Sequence, residues 1–312
     1  MNDTIIPTTA AGQLGFSFTA AGDRTAGQRR ADEASARLAA GFDAVREDPQ
    51  RLKGYLAFCA RFTDYSARNK LLLYLQNPQA RHCMGFRSWK AHGRQVKRGE
   101  RGLTVLAPLL RRPSAAEVAS GADPDRRVPY GFRAVVVFDY AQTRAVADDA
   151  LVYVPPAERL DAAGPAGLVP RIEAAVRAVG YEVVTTDTGY ADGRCRFGAK
   201  TVEVRAGLSP ADRAAVLAHE LAHAVAHAPG ALDTDEASGG QRRPSRASCE
   251  LQAEGAAYVA LAALGLDTAR CSLPYLKGWA GGCDDALSAE LSAIDRIVTH
   301  LLELMCIGPV SL

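Results

Sequence analysis

The sequence predicts an α+β protein built as two domains, and three observations carry that expectation. At 312 residues the chain is about two domains long, with room for a core in each. Short strand-like runs lead into well-signalled helices in both halves, the mixture of an α+β fold. Between the halves, Val154-Pro155-Pro156 and Ala162-Ala163-Gly164-Pro165-Ala166-Gly167 have the composition of a linker. The expected organisation is a loose tail over 1–25, a mixed helix and strand domain over 26–146, a linker over 147–168 and a second, small α+β domain over 169–312.

In the first half a charged, Ala-rich helix is expected from Gln28 to Phe42. Asp48-Pro49 opens another that carries Leu52, Tyr55, Leu56, Phe58, Cys59 and Phe62, and Ser66 caps a third that stops at Asn77-Pro78. Strands follow at Leu103–Leu106 and Arg133–Phe138, with a polar insertion over 112–129. In the second half a helix near Arg171–Val179 precedes a strand at Tyr181–Thr185. After Gly189–Gly193 comes a hairpin through Phe197 and Thr201–Arg205. Leu273–Trp279 reads as a turn and Ala286–Met305 as a closing amphipathic helix.

Composition excludes several classes. Hydrophobic residues at 48% and charged residues at 23% are ordinary for a soluble globular protein. The seven Cys are scattered without a C-x-x-C pair, so they read as reduced thiols, most of them buried small apolar groups. Met1-Asn2-Asp3-Thr4 lacks the basic and apolar regions of a signal peptide, and no long apolar run offers a membrane span. The expectation is a cytoplasmic protein without a membrane.

Charge is distributed unevenly. Between Arg51 and Arg112 stand fourteen Lys and Arg against two acids, a net of +12, so the rest of the chain carries −10 of the overall +2. A basic stretch of that size points to a polyanionic partner. Aromatics are interleaved with it: Tyr55, Phe58, Phe62, Tyr65, Tyr74, Phe86 and Trp89. Tyr55, Phe58 and Phe62 have helical spacing and read as core. Phe86-Arg87-Ser88-Trp89-Lys90 and Lys97-Arg98-Gly99 offer cations for phosphates and rings for unpaired bases in a short space.

The most informative stretch is His219-Glu220-Leu221-Ala222-His223. Ser209 as N-cap, Pro210 at the first helical position and Asp212 in the first turn start a helix that nothing breaks before His227, and Pro229-Gly230 stops it. Four residues are about one turn, so the two imidazoles share a face where one Zn²⁺ could take both. Glu220 lies about 100° round the helix, where its carboxylate could serve as base toward a water rather than bind metal. His227 extends the series but lies about 6 Å further along the axis than His223, so it reads as a solvated or supporting histidine. Glu250 and Glu254, four apart on a second Ala-rich helix, supply the third ligand. Glu250 is taken as ligand and Glu254 as the carboxylate that orients a histidine, with the reverse order as the alternative. Tyr258 and Tyr275 are candidate donors to an oxyanion, and more often such tyrosines are core.

The run Ala67-Arg68-Asn69-Lys70-Leu71-Leu72-Leu73, then Gly85-Phe86-Arg87-Ser88-Trp89, then Gly93-Arg94-Gln95-Val96-Lys97-Arg98-Gly99-Glu100-Arg101-Gly102, resembles the N-terminal DNA-binding domain of the antirestriction protein ArdC family. Val137-Phe138-Asp139-Tyr140-Ala141-Gln142-Thr143 resembles that domain's closing strand and F-D-x-x-Q-T turn. The second half, with H-E-L-A-H and E-L-Q-A-E, resembles the accompanying zinc metallopeptidase-like domain of ImmA/IrrE type. The likeness covers about 50–145 and 170–305. The stretch around Arg111–Arg127 and the loop Ala228–Arg246 match no motif.

The resemblance implies binding of single-stranded DNA, with duplex DNA as the alternative, and a zincin fold for the second domain. Arg68, Lys70, Arg87, Trp89, Lys90, Arg94, Lys97, Arg98 and Arg101 are the expected DNA-binding residues. His219, His223 and Glu250 are the expected Zn²⁺ ligands and Glu220 the expected general base of a peptidase acting on a protein substrate. Two other readings stay open: a DNA-binding protein with a catalytically silent zinc domain, and a regulatory zinc protease that cuts a repressor. An intact Glu220 favours a competent site, because a structural site has no use for a base.

Overall fold

Local signals start the elements where their chemistry requires. Asp48 accepts hydrogen bonds from the backbone N–H groups of Gln50 and Arg51, Pro49 takes the first helical position, and α2 runs Pro49–Cys59 behind them. The longer α1 (Ala26–Glu47) precedes it and α3 (Ala67–Gln76) follows. The structure, a computed structural model, describes residues 26–121, 123–153, 164–189, 191–230, 244–268 and 284–305. The tail over 1–25, most of the expected linker and the turn Leu273–Trp279 with Tyr275 lie outside the described residues. The described chain gathers into two compact units that do not follow chain order: 26–41 with 71–151, and 42–70 with 152–305.

The first unit is built on a long hairpin. β3 (Leu103–Arg111) and β4 (Val128–Asp139) pair antiparallel from Leu103↔Val137 to Arg111↔Val128, and β1 (Cys83–Met84) adds to the other side of β4. Both strands run further than the sequence reading places them, because Pro108 and Pro129 mask the extension. Proline is tolerated since β3 is an edge strand and Pro129 sits beside the register shift between Leu109 and Leu110. Within the expected polar insertion, Ser114 and Glu117 form a capping box that starts the one-turn α5 (Ala115–Ala119). A two-stranded sheet of β2 (Arg94–Val96) and β5 (Thr143–Ala145) was not legible in the glycine-rich stretch that precedes and follows β2.

The Phe138–Thr143 motif is the hydrogen-bond hub of this unit. Asp139, 1% exposed, accepts from the backbone N–H groups of Arg81 at 2.7 Å, His82 at 3.1 Å and Ala141 at 3.1 Å. Gln142 accepts from the Asp139 N–H at 2.9 Å and donates to the Arg101 carbonyl at 2.8 Å. A buried carboxylate needs that many donors, which is why Asp and Gln stand at these positions.

The second unit packs helices on a three-stranded sheet of order β6-β8-β7. β6 (Glu182–Thr186) is parallel to β8 (Thr201–Arg205), and β7 (Gly193–Arg196) lies antiparallel to β8 at the other edge. α6 (Pro165–Ala178) begins inside the expected linker, since Pro165 occupies the first helical position, where its missing N–H goes unused. α7 (Pro210–Ala226), α8 (Arg246–Ala263) and α9 (Asp284–Leu304) complete the unit, with α7 packed on α6 and α8, and α9 on α8. Ile172, Leu217, Leu221, Val202, Val204, Leu261 and Ile297 are buried, each contributing about 1.5–3 kcal/mol by leaving water. Gly255 permits the α8–α9 approach, because a Cβ there would stand 2.8 Å from Ile294 Cδ1.

α2 also belongs to this unit and packs on α8. Tyr55, Phe58 and Phe62 are buried, as their helical spacing predicts, with the Phe58 and Phe62 rings stacked at 4.4 Å. Lys70 is 1% exposed and ion-paired with Asp295 of α9. Burial is the largest influence and pulls its ammonium pKa down, but Asp295 together with Cys59 and Asp64 outweighs it and holds the pKa raised. Lys70 is therefore a buried structural cation and has no free charge for a nucleic acid.

Candidate metal centre and nucleic-acid surface

The helix that carries the two histidines is set from both ends. Ser209 accepts from the Asp212 N–H at 3.2 Å, Pro210 follows it, and the chain leaves the helix after Ala226. Leu217, Ala218, Leu221, Ala222 and Val225 bury one side of α7. His219 and His223 stand one turn apart beside that stripe, with Nε2 atoms 3.1 Å from each other.

α8 brings Glu250 to both. Its Oε2 lies 3.5 Å from His219 Nε2 and 3.4 Å from His223 Nε2. A tetrahedral ion with bonds of about 2.0–2.1 Å separates its ligands by about 3.3 Å, so this triangle fits one divalent metal ion. Among the described residues, His219, His223 and Glu250 are the group of three that could hold such an ion. Glu254, one turn on, instead meets His219 Nδ1 at 2.9 Å, the contact by which a carboxylate orients a metal-binding imidazole. Hydrogen bonds from His219 and His223 hold the Glu250 carboxyl well below the usual carboxylate range. Burial pulls His219 down, but the hydrogen bonds to Glu250 and Glu254 outweigh it and lift the imidazole to about 10.

Glu220 is 8% exposed and lies against the edge strand β7, where the nearby Cys195 backbone favours its charged form. Burial raises its pKa above the ordinary carboxylate value, against the opposing pull of the two histidines. Gly193 makes this seat possible: a Cβ would stand 2.9 Å from Glu220 Oε1 and 2.4 Å from Val216 Cγ1. The sequence reading treats Gly193 as the end of a loop, whereas it is a strand residue whose missing side chain admits the carboxylate. His227 is not part of the triangle; its Nδ1 lies 3.0 Å from His223 Nδ1. Tyr258 is buried, which pushes its phenol up to about 12.

The residues expected to bind DNA separate into two groups. Trp89 on α4 (Phe86–Ala91) is 0% exposed, and its indole N–H donates to the Phe138 carbonyl at 2.8 Å, so neither face is open to a base. Arg94 is buried, donates to Thr143 Oγ1 at 2.8 Å and to the Leu151 carbonyl at 2.9 Å, and lies over the Tyr140 ring. With Lys70, these are framework residues that the resemblance offers as contacts. Arg68, Arg87, Lys90, Lys97, Arg98 and Arg101 are exposed, with Arg68 in the helix-rich unit and the others in the hairpin unit.

Aromatic surface is present beside these cations, on Phe86, which the sequence reading named, and on β4 residues that it did not select. Phe132, Ala134, Val136 and Phe138 share one face of β4 by the period of two in a strand. Phe132 and Val136 are exposed, Phe86 is 54% exposed with its ring edge-on to Phe138, and Tyr130 stands exposed at the register shift. Gly102 closes the basic turn onto this face, since a Cβ there would lie 2.2 Å from Val136 Cγ1. Strand alternation was the signal for Phe132, hidden by Pro129 three residues earlier.

A helix-borne HExxH with a glutamate from the next helix, behind a three-stranded sheet, defines the second unit as a metallopeptidase-like domain. Residues 176–264 match the IrrE N-terminal-like domain, a peptidase family, and residues 25–138 match the N-terminal domain of anti-restriction factor ArdC. The metal-free crystal structure of the antirestriction ArdC protein from the R388 plasmid superposes with a TM-score of 0.50 at 20% identity, covering 78% of this chain and 86% of that one. Its Mn(II)-bound structure gives 0.48 at 22% identity, with 78% and 83% covered. An uncharacterized protein of Bacillus anthracis is 23% identical over 264 residues, 74% of this chain, which spans only 43% of that relative's length. The chain thus carries a segment that matches the ArdC N-terminal domain, followed by one that matches the IrrE N-terminal-like domain, in an overall fold similar to that of the R388 ArdC protein. Among the described residues no helix is long and apolar enough to cross a membrane.

Proposed function

We propose that this protein is an antirestriction factor whose hairpin unit binds single-stranded DNA and whose second unit is a zinc-dependent peptidase. The observation that carries the DNA reading is the exposed face of β4 with Phe86, bordered by the basic turn Lys97–Arg101. Cations there would neutralise phosphates, and the exposed Phe86 and Phe132 rings would stack on unpaired bases, which duplex DNA keeps stacked on one another. Stacking contributes about 1–3 kcal/mol per base, so Phe86→Ala with Phe132→Ala is expected to weaken binding of a labelled single-stranded oligonucleotide at least tenfold in anisotropy titrations. Steep weakening with salt should accompany it. No binding at low salt sinks the DNA reading; equal affinity for duplex sinks the single-strand preference.

A specific observation favours peptidase activity: Glu220 beside the His₂Glu triangle, where a purely structural site would need no base. His219, His223 and Glu250 would hold zinc, with Glu254 orienting His219. When bound, zinc polarises a carbonyl and lowers the pKa of a water. Glu220, seated against Gly193 of β7, is positioned to take a proton from water entering the cleft and to return it to the leaving amine. The outer edge of β7, which pairs with no further strand among the described residues, is suited to align an extended peptide alongside. Glu220→Gln is expected to lower cleavage of labelled casein by about 10²–10⁴-fold while bound zinc stays at the wild-type level. Loss of zinc in that variant would remove Glu220 from the role of base.

A further inference from the structure

The two histidines are oriented in different ways. His219 meets a carboxylate directly, Glu254 at 2.9 Å from Nδ1. His223 meets another imidazole: its Nδ1 lies 3.0 Å from Nδ1 of His227, the residue that caps α7. His227 Nε2 lies 2.8 Å from Gln252 Oε1, and Gln252 Nε2 lies 2.7 Å from Glu290 Oε2 on α9. Ser248 Oγ bonds the other oxygen of the same carboxylate. Gln252 is 4% exposed, so its amide has to be satisfied by these partners.

The chemistry of the far end sets the direction of every proton in the chain. An ionised carboxylate only accepts, so both Ser248 and Gln252 donate to Glu290. That turns the Gln252 amide with its oxygen toward His227, since the flipped amide would face acceptor to acceptor. His227 must then carry its proton on Nε2 and donate it to Gln252, which leaves a lone pair on Nδ1. His223 therefore donates from Nδ1, and its Nε2 lone pair faces His219 and Glu250. The opposite polarity would place a proton on His223 Nε2, in the centre of the triangle, and prevent it from binding metal.

We propose that Glu290, acting through Gln252 and His227, selects the His223 tautomer that can bind metal, which makes all three positioning residues of the centre. The inference rests on the reading of His219, His223 and Glu250 as a metal site. α9 thereby supports the centre although it contributes no ligand, and Gly255, which lets α9 approach α8, is a condition for that contact.

The test uses the full-length protein stripped of metal, with zinc affinity measured by competition against a fluorescent chelator and the site read from the visible spectrum of the cobalt-loaded form. His227→Phe and Glu290→Leu are expected to weaken zinc binding by about 10–100-fold and to alter the cobalt bands. His227→Asn, whose Oδ1 stands near the position of the lost Nδ1, is expected to restore affinity to within about threefold. If the wild-type protein takes up no metal, the metal reading itself fails. If it does, and His227→Phe matches it in affinity and spectrum, the relay is overturned while the metal site stands. Should His227→Phe fail to fold by circular dichroism, Glu290→Leu decides alone, and wild-type affinity there overturns the control assigned to Glu290.

Discussion

Neighbouring carboxylates favour the charged, doubly protonated imidazole of His219 in the metal-free protein. Its pKa is lifted to about 10, above the ordinary histidine value of about 6.5, by two carboxylates that prevail over burial. A raised imidazole pKa stabilises the folded state fully below the unfolded value of about 6.5, and that contribution is lost as pH rises through about 10. Metal binding needs the neutral ring, so zinc uptake at pH 7 should expel about one proton from this site. Calorimetry in buffers of different ionisation enthalpy measures it directly; zero release would mean that His219 is already neutral. The cysteines behave as their composition predicts where they are buried: burial pushes the Cys59 thiol up to about 12, and Cys83 higher. Such thiols are poor nucleophiles and serve as packing.

At the scale of elements, motif and binding residue part company. Trp89 anchors α4 to the end of β4 through its hydrogen bond to the Phe138 carbonyl and fills the interior of the hairpin unit. Trp89→Ala should therefore cost about 3–5 kcal/mol of that unit's stability, measured by chemical denaturation. DNA affinity should fall only under conditions where the unit unfolds. A stable variant with weak DNA binding would return Trp89 to the list of contacts. The sequence placed an aromatic next to cations but not the direction in which its ring points, because α4 is too short to show a periodic apolar face. Helix α7 is the contrary case: cap, proline, apolar stripe and stop signal agree, and Pro210–Ala226 forms where they say. The hairpin was half legible, since prolines that would break a central strand are admitted at an edge and beside a bulge.

For the whole molecule, contiguity in sequence is a poor guide to contiguity in space. Of the fourteen basic residues between Arg51 and Arg112, those up to Lys70 belong to the helix-rich unit and the rest to the hairpin unit. Lys70 and Arg94 are buried among them. By itself the sequence determined the α+β class, the succession of an ArdC-like and an IrrE-like half, and the two imidazoles one turn apart on a capped helix. The class and the paired imidazoles follow from composition and helix periodicity, and the succession of halves from a resemblance of motifs, all properties of neighbouring residues. Only the tertiary structure decided that Glu250 faces both histidines while Glu254 turns to His219 Nδ1, and that Gly193 makes room for Glu220. It also decided that His227 is joined through Gln252 to Glu290. Each of these depends on how one helix packs against another or against a strand edge, a relation between residues far apart in the chain that no local pattern encodes.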